Sequence, residues 1–437
     1  MKSRFSIALG FLALISVGAI ALSSPWARQA GTWGHWSDAA FTACSAVCVT
    51  GLSVVDIGRE YTTAGQVALM ALVELGALGM MTLGTFLLVA IGRRLSFASE
   101  FSLMNAYGVE KVRGVRGLVV WIVCSMLVIE GIGAGLLYSR FHDWYRAIFF
   151  SVMSFCNAGF SLYADSLARF AADPFVLFVL AAETILGGIG FLVIYNICTF
   201  KFLRRRSGAR GRLSLHSSVV LRFSLYLLAV AFAVFLVLEW NGALKAYDWT
   251  QKLWVAFYQA VTPRSCGFAV IPTENLRSAT VQLYECLMFV GGAPGSVAAG
   301  VKVTTFAVLV YTLLAMCRGE SETVISRRVI AYDIVRESIV IVVALFLLED
   351  VIYVALLLIE EGSGIPLGDL FFESLSAVTT TGLSVGDTTA RLSLPGRVVI
   401  MLAMFCGRLG ALTVVLMIGN RESKRLIRYP NEELVVG

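Results

Sequence analysis

Four short segments centred on glycine carry the residues whose types and spacing could do chemistry. Ser45-Ala46-Val47-Cys48-Val49-Thr50-Gly51-Leu52-Ser53 returns as Ser376-Ala377-Val378-Thr379-Thr380-Thr381-Gly382-Leu383-Ser384, differing only at the fourth and fifth places. Looser copies are Ser154-Phe155-Cys156-Asn157-Ala158-Gly159-Phe160-Ser161 and Thr262-Pro263-Arg264-Ser265-Cys266-Gly267-Phe268-Ala269. Aligned on glycine, all four read Gly, then Leu or Phe, then Ser or Ala. Gly51, Gly159, Gly267 and Gly382 lie 108, 108 and 115 residues apart, a long period that marks four copies of one structural unit. The chemistry such loops offer is cation coordination. Backbone carbonyls turned toward a shared axis can replace the hydration shell of a potassium ion. A carbonyl ladder of that kind needs positive φ, which glycine adopts without a Cβ clash.

The elements that must position these loops are membrane helices. Hydrophobic residues make up 58% of the 437-residue chain and charged residues 15%, against about 45–50% and about 25% for soluble domains. Apolar runs of about 20 residues recur, each long enough to cross a bilayer. Outer helices are expected over 5–22, 118–138, 218–239 and 335–358, and inner helices over 65–91, 174–200, 280–316 and 396–419. Between each pair sits a short apolar segment, such as Ala39–Val47 or Leu253–Val261, too short to span and suited to re-entry. Each short segment carries an aspartate near its start (Asp38, Asp143, Asp248, Asp369), expected as an N-cap at the positive end of the helix dipole. The negative C-terminal ends then point inward, just before the glycines. Four such ends converging on a cavity favour a cation by about 0.3–2 kcal/mol each.

Two spanning helices per unit return the chain to its starting side, so the units are parallel and the glycine loops share one face. The segments 1–4, 92–117, 201–217, 317–337 and 420–437 hold 21 Lys and Arg; the opposite segments hold 11. The richer set faces the cytoplasm, with both termini, and the glycine loops open outward. The net charge of +6 reflects these loops, so no nucleic-acid partner is expected. The basic runs Lys201–Arg212 and Arg421–Arg428 are explained by this topology. Lys2 and Arg4, an apolar run to Leu22, and Ser23-Ser24-Pro25 have the layout of a cleavable signal peptide. The repeat argues for retention, because every later glycine segment follows a spanning helix of its own. Nine scattered cysteines without a CxxC pair give neither a disulfide framework nor a metal site. Nor does any GxGxxG follow a strand-like run, so the chain holds no dinucleotide-binding domain.

The inner segments add a second repeat: Gly76-xx-Gly79, Gly187-xx-Gly190, Gly292-xx-Gly295 and Gly407-xx-Gly410. Small residues at such spacing permit close helix packing, and their register with the loops suggests room beneath them. The third copy, Gly291-Gly292-Ala293-Pro294-Gly295-Ser296-Val297-Ala298-Ala299-Gly300, is too rich in Gly, with Pro, for a regular helix. Broken helix at membrane depth is tolerated where it lines an aqueous cavity. Arg408 lies inside the fourth copy. At a helix centre it costs about 2.5–3.5 kcal/mol on insertion scales, so it should face water or a partner. Glu74, Glu183 and Glu285 also fall on inner helices, in structural or vestibule roles.

These motifs together resemble the Trk/Ktr/HKT superfamily of potassium transporters along essentially the whole chain, and the length is most similar to the bacterial KtrB-type membrane subunit. The resemblance implies an all-α polytopic membrane protein: four parallel helix–pore-loop–helix repeats, eight spanning helices, around one central pore. The units run over 1–92, 93–217, 218–333 and 334–419, with a basic cytoplasmic tail at 420–437. It implies a potassium selectivity filter of backbone carbonyls from Val49, Thr50, Gly51, Asn157, Ala158, Gly159, Ser265, Cys266, Gly267, Thr380, Thr381 and Gly382. A serine replaces the first filter glycine in sodium-selective HKT proteins, so Gly51 supports potassium. It further implies an intramembrane gate built from Gly291, Gly292, Gly295, Ser296, Gly300 and Lys302, with Arg408 beside it. The expected setting is the cell inner membrane, as a homodimer on a cytoplasmic ring of nucleotide-binding RCK proteins, with sodium as an activator in many members. Two other readings differ. One is a sodium or poorly selective monovalent-cation transporter of the same fold. The other, a membrane-embedded enzyme, needs paired polar catalytic groups at membrane depth, whereas the three histidines (His35, His142, His216) fall in loops or at helix ends.

Overall fold

A computed structural model describes residues 2–90, 115–198 and 213–410. The helices are α1 (Lys2–Ser23), α2 (Trp36–Val47), α3 (Ile57–Glu60), α4 (Thr63–Ala90), α5 (Val115–Phe141), α6 (Trp144–Phe155), α7 (Pro174–Ile189) and α8 (Phe191–Cys198). They continue with α9 (Leu215–Glu239), α10 (Trp249–Val261), α11 (Ser278–Phe289), α12 (Val303–Cys317), α13 (Tyr332–Ile359), α14 (Leu367–Val378), α15 (Thr388–Arg391) and α16 (Leu394–Leu409). A two-residue hairpin pairs Val324–Ile325 with Arg328–Val329. The chain is thus mostly helical and of membrane type. Among the described residues, three helices are long and apolar enough to cross a bilayer: Val119–Phe141, Leu215–Glu239 and Tyr332–Ile359. Joined to α8 through a 96° bend, α7 would make a fourth.

The short helices α2, α6, α10 and α14 form where the sequence expects them, and each lies against the long helix before it: α1, α5, α9 and α13. Each also packs on the inner helix of the preceding segment. Thus α6 meets α4, α10 meets α7, α14 meets α11, and α2 closes the circuit on α16. Trp36, Trp144 and Trp249 stand at the first turns of three of these helices and are exposed, the amphipathic-ring placement typical of a membrane–water boundary. Inside, Phe149, Phe150, Phe155, Phe160 and Phe268 are fully or almost fully buried in one apolar core. Phe150 packs on Phe268 with ring centroids 5.9 Å apart, tying the second glycine segment to the third; such a pair adds about 0.5–1.5 kcal/mol beyond its area.

Two sequence expectations need correction. Asp143 and Asp248 occupy N-cap positions, and the Asp143 carboxylate accepts from the Tyr145 and Arg146 amides. Asp38 and Asp369 instead sit in the third position of their helices, behind His35 and Pro366 as N-caps. Both still lie in the first turn, where a carboxylate suits the dipole. Asp38 has another partner as well: Arg397 Nη1 on α16 donates to it at 2.9 Å, fastening the last inner helix to the first short one. The second correction concerns the inner helices, which were expected to be regular except in the third copy. The first, second and fourth break or end at the second glycine of the GxxG, with φ 70° at Gly79, 92° at Gly190 and 84° at Gly410, whereas the third already stops at Phe289 and Gly295 (φ 72°) lies within the irregular stretch that follows. The first glycines explain why the chain arrives there. A Cβ on Gly76, Gly187 or Gly407 would overlap the carbonyl of Val47, Phe155 or Val378, the last residue of the adjacent short helix. These glycines permit close backbone contact between the inner and short helices. The loop at 92–114, both basic runs (Lys201–Arg212 and Arg421–Arg428) and the 420–437 tail lie outside the described residues.

Candidate functional site

Each short helix ends in the same backbone device. The amide just before the glycine folds back onto the helix end: Thr50 N donates to Ser45 O and Thr381 N to Ser376 O at 2.8 Å, Ala158 N to Met153 O at 2.9 Å and Cys266 N to Thr262 O at 3.0 Å. Val49, Asn157, Ser265 and Thr380 then take positive φ of 55°, 56°, 81° and 49°, uncommon for residues with side chains. After one intervening residue, Gly51, Gly159, Gly267 and Gly382 take φ of 97°, 67°, 80° and 83°. Positive φ at alternate residues turns successive carbonyls toward one side of the strand. Two serines hold the geometry, since Gly51 N donates to Ser45 Oγ (3.0 Å) and Gly382 N to Ser376 Oγ (3.1 Å). Six residues before glycine in the two best-matched copies, they were visible in the sequence as part of the motif but carried no assigned role.

The four loops meet. A Cβ on Gly51 would strike the carbonyl oxygen of Ala158, and one on Gly159 that of Cys266 at 2.8 Å. One on Gly267 would strike Thr381 O at 2.8 Å, and one on Gly382 would strike Thr50 O. Each glycine therefore abuts the residue before the next glycine, and the fourth returns to the first. Ser265 Oγ also donates to Thr380 O at 3.1 Å across the third and fourth loops. Thr50, Ala158, Cys266 and Thr381 are fully buried. The four loops thus meet in one closed circuit of glycine-to-carbonyl contacts. A cavity of about 360 Å³ opens on Gly51, Gly159 and Gly382, with Asp56 and Asp387 in its wall. Tyr163 also lines it; beside that ring the Arg169 guanidinium hydrogen-bonds Asp165 at 2.7 Å and holds its carboxyl below the usual range.

Between α7 and Arg408 of α16 lies the irregular stretch 290–302. It leaves α11, returns as a narrow loop with Gly291 N donating to Val301 O (3.0 Å), and re-enters helix at Val303, whose amide donates to Gly292 O (3.0 Å). Gly295 and Gly300 have positive φ. Ser296 N closes a turn on Ala293 O at 3.1 Å, and Lys302 Nζ reaches back to Ala298 O at 2.5 Å. The loop docks on the break in the second inner helix: Ala293 N donates to Gly188 O (2.9 Å), Val297 N to Gly187 O (3.4 Å) and Phe191 N to Gly295 O (3.1 Å). From the opposite side Arg408 donates to Val297 O (2.5 Å) and Gly76 O (2.7 Å). The half-buried guanidinium thus ties the loop to α4 through two charge-assisted bonds, which answers the sequence argument that it needs a partner.

The glutamates do not join this ring. Glu183 accepts from Ser151 on α6, and Glu285 from Gln282 at 2.6 Å; Glu74 lies beside Glu130 on α5. Glu130, Glu349 and Glu373 are also buried, with no sequence motif to mark them. Glu349 accepts from Ser374 on α14 at 2.5 Å. Glu373 accepts from Ser384 at 2.7 Å and from Thr389, fixing the chain beyond Gly382.

Comparison with known proteins agrees with this architecture. The family model for TrkH, a cation transport protein, matches residues 11–429. The Ktr system potassium uptake protein B of Bacillus subtilis is 35% identical over 441 residues, covering 99% of this chain and 96% of that protein. The potassium/sodium uptake protein NtpJ of Enterococcus hirae is 33% identical over 445 residues, with 99% and 96% covered. The crystal structure of the potassium transporter TrkH from Vibrio parahaemolyticus superposes with a TM-score of 0.76 at 16% identity, over 95% of this chain and 84% of that one, a likeness of fold. With the sequence relatives and the family model spanning nearly its whole length, the chain belongs to the TrkH family of cation transport proteins.

Proposed function

We propose that this chain takes up potassium through the ring of glycine loops, as four parallel helix–pore-loop–helix units with eight spanning helices around one pore. The observation that carries the reading is the closed circuit in which every glycine abuts the carbonyl of the next loop. Carbonyl oxygens from Thr50, Ala158, Cys266 and Thr381, with those of their neighbours in each loop, form the selectivity filter and replace the ion's water. The ends of α2, α6, α10 and α14 add their partial negative charge. The loop 291–300, with Lys302 and pinned by Arg408, is the gate below the filter. The naming of the relatives as potassium uptake proteins supports the choice of ion.

In this reading the protein is a multi-pass inner-membrane subunit with both termini in the cytoplasm. It works as a homodimer, each protomer with its own pore, on an RCK-type nucleotide-binding ring that meets the basic 201–212 and 421–428 segments. Sodium acts as an activator. A second reading, transport of sodium or of monovalent cations with little preference, is favoured by the potassium/sodium naming of the Enterococcus hirae relative. Uptake of labelled rubidium and of labelled sodium by proteoliposomes holding the purified chain separates the two. Rubidium uptake that excess potassium abolishes and equal sodium leaves intact supports the first; equal uptake of both supports the second.

A further inference from the structure

A second cavity lies outside the glycine ring, and one charged residue lines it without an acidic partner. It measures about 340 Å³ and sits between α7, α9 and the end of α10, walled by Thr184, Gly188, Leu221, Ser224, Arg264 and Gly292. Its surface is mainly apolar. Leu225, which also borders it, is 68% exposed, so the cavity opens sideways toward the bilayer. Among the described residues the Arg264 side chain hydrogen-bonds only Ser224 of α9, through long bonds from Nη1 to the carbonyl (3.4 Å) and from Nη2 to the hydroxyl (3.3 Å). Its Nε is buried without a partner. Among the described residues no carboxylate pairs with it.

A guanidinium stays protonated in a protein, and a buried charge without a counter-ion is strongly unfavourable. Neither the walls nor the bilayer interior supplies an anion, so it must arrive on an apolar carrier. We propose that this cavity binds an acyl chain bearing an anionic head, the head pairing with Arg264 and the chain leaving along Leu221, Leu225 and Leu228. Depth selects the head. Ser224 lies nine residues into the 25-residue α9, about 13 Å from one end and about 22 Å from the other. A phospholipid head belongs at the surface, whereas a single carboxylate can be carried to mid-depth by its own chain. The occupant is therefore a free fatty acid. It would rest against Gly188 and Gly292, where the 290–302 loop docks on α7.

The test is photolabelling of the purified full-length protein in lipid nanodiscs with a palmitic acid analogue carrying a diazirine near its tail, followed by peptide mapping. Label is expected on α7 and α9 peptides around Ile185 and Leu221–Leu228. Palmitate should compete at least tenfold better than its methyl ester. Arg264→Gln should cut labelling about tenfold, and Arg264→Lys should keep most of it. Leu225→Trp, which fills the cavity and leaves Arg264 intact, should reduce labelling even if Arg264→Gln does not fold. A diazirine phosphatidylglycerol that labels the same peptides with the same dependence on Arg264, where palmitate does not, would overturn the fatty-acid assignment and make the occupant a phospholipid. Equal competition by the ester, label spread over other helices, or a monodisperse Arg264→Gln protein that labels like the parent would overturn it.

Discussion

Replacing Gly51 by serine is the sharpest perturbation of the ring. At φ 97° a residue with a Cβ pays about 1–2 kcal/mol. The same Cβ falls on the Ala158 carbonyl oxygen, which is backbone, so no rotamer change relieves the overlap. Either the Gly51 peptide or the Ala158 carbonyl must leave its place, and the ring loses one of four equivalent positions. If that 1–2 kcal/mol is lost from potassium binding alone, preference over sodium falls about five- to thirtyfold, because sodium can pass with more of its own water. The overlaps rank the four sites. Gly51 and Gly382 strike a carbonyl oxygen more closely than Gly159 and Gly267, so serine at the first pair should cost more selectivity. Gly131→Ser is the control, since its Cβ meets nothing within 4 Å. The assay is competition of sodium with rubidium uptake in cells lacking other potassium systems. Normal sodium exclusion by Gly51→Ser, or equal loss in Gly131→Ser, would refute the reasoning.

Three further outcomes are expected. Deleting Ser296–Ala299 removes the carbonyl held by Arg408 and should raise rubidium flux several-fold; Arg408→Ala leaves the bonds to Gly188 and Phe191 and should raise it less. Lower flux in a folded deletion variant would make the loop a support for the pore. Arg397→Ala breaks the 2.9 Å bond to Asp38 and should cost about 1–3 kcal/mol, seen as a lower unfolding midpoint in detergent, whereas Asp38→Asn in the Arg397→Ala background should add little. Finally, after removal of native cysteines, a cysteine at the exposed Asp387 should react with an impermeant thiol reagent outside sealed cells, and one at Ser207 should not; the reverse would invert the topology.

What could be read from sequence followed from how far each signal stands above ordinary chain. Four glycine segments at matched spacing placed the ring, because no common packing pattern repeats over 108 residues. Gly291–Gly300 announced a break by density of glycine and proline. An arginine among apolar residues announced a partner, though not that it would be the carbonyls of Val297 and Gly76. The breaks at Gly79, Gly190 and Gly410 are not legible in sequence: a lone glycine costs a helix only about 1 kcal/mol, and at Gly190 the break comes with the docking of the 290–302 loop on Gly187 and Gly188. Asp38 reads like a cap until the fold brings Arg397 to it across 359 residues. The buried pairs Glu349–Ser374 and Glu183–Ser151 were hidden similarly, since serine on a short helix advertises no distant carboxylate.

The central claim is that one cation sits among the carbonyls of all four loops, and anomalous scattering from crystals grown in rubidium in place of potassium tests it most directly. The expected result is a rubidium peak on the ring axis, similarly distant from the carbonyl oxygens of Thr50, Ala158, Cys266 and Thr381, which weakens when sodium replaces rubidium. A well-ordered ring with no peak on its axis, and rubidium only beside Asp56 or Asp387 in the outer cavity, would contradict it.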